Sequence, residues 1–120
     1  MKNKILVLDI ETTGLDTEKD EILSISIIDA YENVLYNSYF CPERTEEWLD
    51  AEKVHHISWD DVLDAPTLTS ELDYINEILS SAYLLVGYNL ESFDLPFLKN
   101  NGAELPGCQV VDVMECFSGI

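Results

Sequence analysis

Asp9 and Glu11 are the first residues whose type and spacing point to chemistry. They lie two positions apart at the end of an apolar run, Lys4 to Ile10, with the length and composition of a buried strand. Because side chains alternate between the two faces of a strand, both carboxylates should project from the same face. Carboxylate oxygens that converge from one side are ligands that Mg²⁺ or Mn²⁺ prefers. The alternative is that Asp9 only ends the strand while Glu11 faces water.

The two carboxylates belong to a longer pattern, D-I-E-T-T-G-L at residues 9–15. This pattern resembles the first motif, D-x-E-T-T-G, of the DnaQ-like (DEDD) 3′-to-5′ exonuclease family. The resemblance implies that Asp9 and Glu11 are catalytic and hold metal ions. It also implies that the next four residues bind the 3′-terminal nucleotide: Thr12, Thr13, Gly14 and Leu15. Without a Cβ, Gly14 would let the main chain approach a ligand closely, although an ordinary turn glycine would look the same.

A second pattern, G-Y-N-L-E-S-F-D-L-P-F-L, occupies residues 87–98. It is similar to the segment of the same family that ends in H-N-x-x-F-D-x-x-F-L. The match makes Asp94 the third catalytic, metal-binding carboxylate and places Asn89 and Phe93 among the substrate-binding residues. Considered alone, an Asp that opens a helix is more often a cap or a dipole partner. Tyr88 stands where the family commonly has His.

Two adjacent histidines lie between these motifs, in A-E-K-V-H-H-I-S at residues 51–58. This segment and the D-A-P that follows resemble the family's V-H-G-I and D-x-P segments. The register matches His55 to a position that contacts the terminal nucleotide, so we expect His55 to line the substrate cleft. His56 replaces the family's glycine and receives no role. Surface polarity is the alternative explanation for both histidines.

The fourth carboxylate of these families lies in a later helix that carries H-x-x-x-x-D or Y-x-x-x-D. Neither motif occurs after the Asp94 segment, where the family has this helix. Asp112 lies in V-V-D-V-M, which resembles a strand end of the family, and is not expected to be that ligand. The resemblance therefore implies a domain that is incomplete at its C-terminus. General-base assistance typically contributes ~10²–10⁴-fold, so we expect this chain alone to be nearly inactive.

A sheet must position these side chains. Apolar and β-branched segments predict five strands at residues 4–10, 21–30, 34–40, 83–86 and 109–113, with the second and third paired as a hairpin. Apolar spacing predicts helices over residues 46–54, 66–80 and 93–101. The order β-β-β-α-β-α-β predicts an α/β mixed sheet, its first strand central and its last two strands parallel. This order fits a ribonuclease H-like fold, which the resemblance also implies, and by spacing alone other α/β folds.

Composition indicates one domain over residues 1–120, because 47% hydrophobic residues in this length suffice for a single core. The 24 acidic and 6 basic residues give a net charge of -18, which would repel a polyanion unless metal ions or a local basic patch intervene. The cysteines lack zinc-ligand spacing and are expected to be reduced. We see neither a signal peptide nor a membrane span, so we expect a cytoplasmic protein.

These features favour a metal-dependent 3′-to-5′ exonuclease that binds the 3′ end of single-stranded DNA or RNA. By the resemblance, a complete site holds two Mg²⁺ or Mn²⁺ ions. A DNA polymerase or another protein is the expected partner, and the oligomeric state stays open. Two alternatives are a pseudo-nuclease that binds proteins through its acidic surface, and a chain whose missing helix comes from another copy. The sequence does not separate DNA from RNA, or proofreading from degradation.

Overall fold

The computed structural model describes residues 2–114. Its strands are β1 (Lys4–Thr12), β2 (Ile22–Asp29), β3 (Val34–Tyr39), β4 (Ala82–Gly87) and β5 (Gln109–Asp112). Its helices are α1 (Leu49–His55), α2 (Trp59–Val62), α3 (Leu68–Ser80) and α4 (Leu95–Asn100). A π-helical turn (Leu90–Asp94) directly precedes α4. No helix of this part of the chain combines the length and apolar character needed to cross a membrane.

The five strands form one mixed sheet in the order β3-β2-β1-β4-β5. β1 pairs antiparallel with β2, and β2 pairs antiparallel with β3. β4 runs parallel to β1, and β5 runs parallel to β4. Parallel neighbours need a crossover, which α1 to α3 supply before β4 and the π-helical turn with α4 supplies before β5. The predicted α/β mixed sheet with a central first strand is confirmed.

One face of β1 carries the core. Leu6, Leu8 and Ile10 are almost fully buried, and each contributes roughly 1.5–3 kcal/mol by its removal from water. They belong to one cluster with apolar residues of α3 and α4: Ile75, Leu79, Phe97 and Leu98. The alternating positions of β1, which include Asp9 and Glu11, lie on the opposite face and are less buried. The strand period therefore brings both carboxylates to one side, as predicted.

Several element boundaries differ from those predicted. β1 continues through Thr12 instead of ending near Glu11, because its antiparallel pairing with β2 continues to that residue. The first helix begins at Leu49 instead of residue 46. The predicted helix over 93–101 is divided at Asp94 into the π-helical turn and α4. The Leu95 amide bonds to the Leu90 carbonyl, five residues back, and Pro96 has no amide hydrogen to donate.

Candidate active site

The end of β1 presents Asp9 and Glu11 with open space beside them. On β2, Asp9 is paired with Ser26 and Glu11 with Ser24, both small residues. On the other side, β4 ends at Gly87, where an added Cβ would lie 3.0 Å from the Leu8 carbonyl oxygen. Gly87 therefore lets the crossover leave the sheet close to β1, next to the carboxylates.

Asp94, at the end of the π-helical turn, is the third predicted carboxylate. It is only 4% exposed, and its Oδ2 atom is buried without a hydrogen-bond partner among the described residues. Burial and the neighbouring charges of Asp9, Asp112 and Glu11 raise the pKa of Asp94 to about 8. The structure thus brings the three sequence-predicted carboxylates close enough for their charges to interact.

Burial also acts on the two strand carboxylates, Asp9 and Glu11, but more weakly. Partial burial of the carboxyl group raises the pKa of Asp9, although the residue as a whole is exposed. Burial and the charge of Asp9 raise the pKa of Glu11, and His55 partly opposes this effect. Like charges held together are unfavourable unless a cation or a proton compensates them. The three carboxylates therefore repel one another.

The donor set fits a hard divalent cation, since all three side chains offer carboxylate oxygens and one buried oxygen has no partner within residues 2–114. Within residues 2–114, however, no group of three or more His, Cys, Asp or Glu side chains has the arrangement of a preformed metal site.

Asp112, at the end of β5, is a buried carboxylate whose role differs from that of the three predicted metal ligands. Its Oδ1 accepts hydrogen bonds from the amides of Asn89 (2.8 Å) and Met114 (3.1 Å), and its Oδ2 accepts one from Glu91 (3.2 Å). These bonds fix the entry to the π-helical turn that carries Asp94. Asp112 therefore positions Asp94. Sequence reasoning missed this role, because it depends on two segments that meet only in the folded sheet.

A cleft of about 770 Å³ adjoins Glu11. Six of the seven predicted substrate-binding residues line it: Thr12, Thr13, Gly14, Leu15, His55 and Phe93. The other lining residues come from the β1–β2 loop, from α1 and from the segment before α1: Asp20, Glu47, Trp48, Leu49, Asp50, Ala51 and Val54. Asn89 does not line the cleft; its backbone is left-handed, with φ 56°, and its amide bonds to Asp112. A substrate contact by Asn89 stays a prediction.

Asp20 organises the wall of the cleft next to β1. Its Oδ1 accepts a hydrogen bond from the Thr13 hydroxyl (3.1 Å), and its Oδ2 accepts one from the Asp16 amide (2.9 Å). A Cβ added to Gly14 would lie 2.3 Å from Asp20 Oδ2. Both the Asp20 side chain and the predicted approach to a ligand therefore favour glycine at position 14.

His55 joins α1 to the end of β1. Its Nδ1 accepts a hydrogen bond from the Ile57 amide (3.1 Å), so the proton resides on Nε2, which donates to the Thr12 carbonyl (2.9 Å). His56 is the C-cap residue of α1 and is left-handed, with φ 62°. A glycine adopts this conformation at lower cost, which explains why the similar family segment has glycine there.

Glu21 is a second buried carboxylate that the sequence did not single out. It accepts hydrogen bonds from three consecutive amides, those of Glu43 (2.8 Å), Arg44 (3.1 Å) and Thr45 (2.7 Å). Burial alone would raise the pKa of Glu21, but the hydrogen bonds from this segment outweigh it and hold the pKa below its ordinary value. Glu21 thereby fixes the segment that leads into α1 and the cleft.

Comparison with known proteins identifies a matching family. The family model RNase_T, described as Exonuclease, matches residues 6–115. A search of curated proteins gives no significant match.

Among solved structures, the fold is similar to that of exonuclease I. The ExoI/SSB-Ct complex gives a TM-score of 0.81 at 15% identity, over 99% of this chain and 30% of that chain. E. coli exonuclease I in complex with a dA16 oligonucleotide gives a TM-score of 0.81 at 15% identity, over 98% of this chain and 29% of that chain. A product-bound structure of exonuclease I gives a TM-score of 0.80 at 16% identity, over 98% of this chain and 31% of that chain.

This chain spans less than a third of the length of those exonuclease I chains. At such low identity the likeness shows the fold alone, and it confirms the predicted ribonuclease H-like architecture. The family model is the stronger finding because it covers most of the chain. The chain therefore belongs to the RNase_T exonuclease family, within the DnaQ-like superfamily.

Proposed function

We propose that this domain is a metal-dependent exonuclease that hydrolyses phosphodiester bonds at the 3′ ends of single-stranded DNA or RNA. The observation that carries the proposal is the buried Oδ2 of Asp94, which lacks a hydrogen-bond partner in the described part of the chain and lies beside two further carboxylates. An unpaired buried oxygen that is also repelled by its neighbours is costly, and a hard cation would offset both penalties.

Asp9, Glu11 and Asp94 would hold the Mg²⁺ or Mn²⁺ ions. When bound, such ions lower the pKa of a water molecule and stabilise the leaving oxygen. Four positive charges from two ions would also reduce the repulsion between the acidic chain and a phosphate.

The chain's own residues would hold the terminal nucleotide. Leu15 and Phe93 offer apolar surface in the cleft next to Glu11, and residues 12–14 form its wall. The Thr12 hydroxyl donates to the Gly14 carbonyl (2.6 Å), which stiffens that wall. Both ring nitrogens of His55 are used in bonds to the main chain. His55 therefore serves as a wall of the cleft and not as the base that accepts a proton from water.

For protein partners we propose only a class of protein. Exonuclease I has been solved with single-stranded oligonucleotides and in the ExoI/SSB-Ct complex. By analogy of fold, a protein that delivers single-stranded 3′ ends, such as a DNA polymerase or a single-strand binding protein, is the partner we propose for this chain.

The direct test uses the natural gene product and a single strand labelled at its 5′ end. With Mg²⁺ or Mn²⁺ we expect labelled products that shorten stepwise from the 3′ end, and we expect Asp9→Asn to abolish them. The matched control is Asp73→Asn, which removes an exposed carboxylate of α3 and should retain activity. Absence of shortening with either metal, or shortening that survives Asp9→Asn, would contradict the proposal.

A further inference from the structure

We infer that the cleft beside Glu11 accepts only the last nucleotides of a strand, so that dinucleotides and other short oligonucleotides bind as well as long strands. This inference rests on the proposed function and names its substrate class.

The charge of the cleft carries the inference. Four of its lining residues are acidic: Glu11, Asp20, Glu47 and Asp50. None of the described residues that line it is Lys or Arg. Only Glu11 belongs to the proposed metal-binding set, and neither Glu47 nor Asp50 forms an ion pair among the described residues. Phosphates upstream of the terminal nucleotide would therefore meet carboxylates and not cations.

The basic residues do not supply a track for a long strand. Arg44 is paired with the buried Glu21 at 3.4 Å. Lys2 precedes β1 and Lys4 begins it, whereas Asp9 and Glu11 lie towards the other end of the strand. The remaining three are exposed and do not line the cleft: Lys19, Lys53 and Lys99. Proteins that hold long single strands combine a positively charged groove with stacking side chains, and the described residues line this cleft without the first of these features.

The cleft does offer contacts for a base and a sugar. Leu15, Leu49 and Val54 are 85%, 64% and 79% exposed, and all three line it. Phe93 also lines the cleft, and its ring packs against that of Phe97, with ring centroids 4.7 Å apart. A volume of about 770 Å³ is typical of a pocket for a small ligand. Recognition would therefore come from apolar contacts with the terminal nucleotides, and affinity should not rise with strand length.

The experiment compares the binding of thymidine dinucleotide with that of a strand of about sixteen thymidines, at salt between about 50 and 200 mM. Ca²⁺ replaces Mg²⁺ to slow cleavage. We expect dissociation constants that agree within about threefold and a shallow salt dependence for both ligands. A long strand that binds more than about tenfold tighter, with a steep salt dependence, would overturn the inference while supporting the proposed function. Failure of both ligands to bind would instead overturn the proposed function.

Two double variants test whether the carboxylates of the cleft weaken the binding of a long strand. Glu47→Gln with Asp50→Asn removes two negative charges from the cleft and should tighten the long strand roughly tenfold, and the dinucleotide less. Asp73→Asn with Glu77→Gln makes the same change in net charge on exposed positions of α3. If both double variants tighten the long strand equally, net charge and not the cleft sets the preference, and the inference is wrong.

Discussion

At the scale of single residues, Asp94 bears the largest electrostatic cost in the site. Its pKa of about 8 in the folded chain lies above the ordinary value of 3.8. The folded state therefore binds the proton more tightly, and stability should fall as the pH rises from about 4 to about 8. Asp94→Asn removes this titration, so the stability of the variant should fall less than that of the parent chain over the same pH range. Urea unfolding in the presence of a chelator measures both curves, and parallel curves would show that Asp94 is not destabilising.

His56 is a second residue with a specific cost, because its φ of 62° is left-handed. A residue with a side chain pays roughly 1–2 kcal/mol for this conformation. We therefore predict that His56→Gly raises the free energy of unfolding by about 1 kcal/mol. The neighbouring variant His55→Gly is the control and should be destabilising, since it loses the bond to Thr12. A destabilised His56→Gly would show that the histidine makes a contact that offsets its strain.

The sequence predicted the residues whose role follows from local spacing or from a motif. Asp9 and Glu11 follow from the strand period, and Asp94 follows from its match to the family segment. Asp112 and Glu21 could not be found in the same way. Each accepts amide hydrogens from residues more than twenty positions away, so its role exists only after distant segments have packed.

At the scale of elements, Glu21 joins the start of β2 to the segment that leads into α1. A carboxylate that accepts several amide bonds is strongly favoured in its charged form. We predict that Glu21→Gln lowers the free energy of unfolding by about 2–3 kcal/mol at neutral pH. Because the folded pKa of Glu21 is lowered, its contribution is present above the ordinary pKa of 4.5 and is lost as the pH falls through the folded pKa.

The control for Glu21 is Arg44→Ala. The Arg44 side chain is 55% exposed and contacts Glu21 at 3.4 Å, so its removal should cost less than about 1 kcal/mol. Chemical unfolding of both variants at neutral and acidic pH makes the comparison. Equal losses would mean that the ion pair, and not the three amide bonds, fixes the segment.

The β1–β2 loop depends on the close fit of Gly14 and Asp20. We predict that Gly14→Ala destabilises the chain by about 1–3 kcal/mol, because its Cβ would displace the Asp20 carboxylate. In an Asp20→Ala background the same substitution should cost much less. A double-mutant cycle of unfolding free energies tests this, and additive effects would show that the two residues do not interact.

Helix and strand types were predictable, but some boundaries were not. The spacing of apolar residues identified α3 and the strands because it shows which face of each element is buried. The split at Asp94 depends on the amide hydrogen bonds that Asp112 accepts and on Pro96, and the limit of β1 depends on its partner β2. Pairing across the sheet therefore decides features that local patterns leave open.

At the scale of the whole molecule, the order of elements indicated a mixed sheet, but spacing alone also fitted other α/β folds. Only the motifs selected the ribonuclease H-like fold, which the structure and the exonuclease I likeness confirm. The folded sheet also explains how a chain with a net charge of -18 concentrates carboxylates at one strand end. Repulsion there is a cost to the metal-free protein that a bound cation would remove.

The central claim is that Asp9, Glu11 and Asp94 form one divalent-metal site. Isothermal titration with Mn²⁺ tests it most directly, with Asp94→Asn as the site variant and Asp73→Asn as the exposed control. We predict saturable Mn²⁺ binding by the parent chain and by Asp73→Asn, and a loss of at least about tenfold in affinity for Asp94→Asn. Equal Mn²⁺ binding by all three proteins, or no binding by the parent, would contradict the claim and favour the pseudo-nuclease.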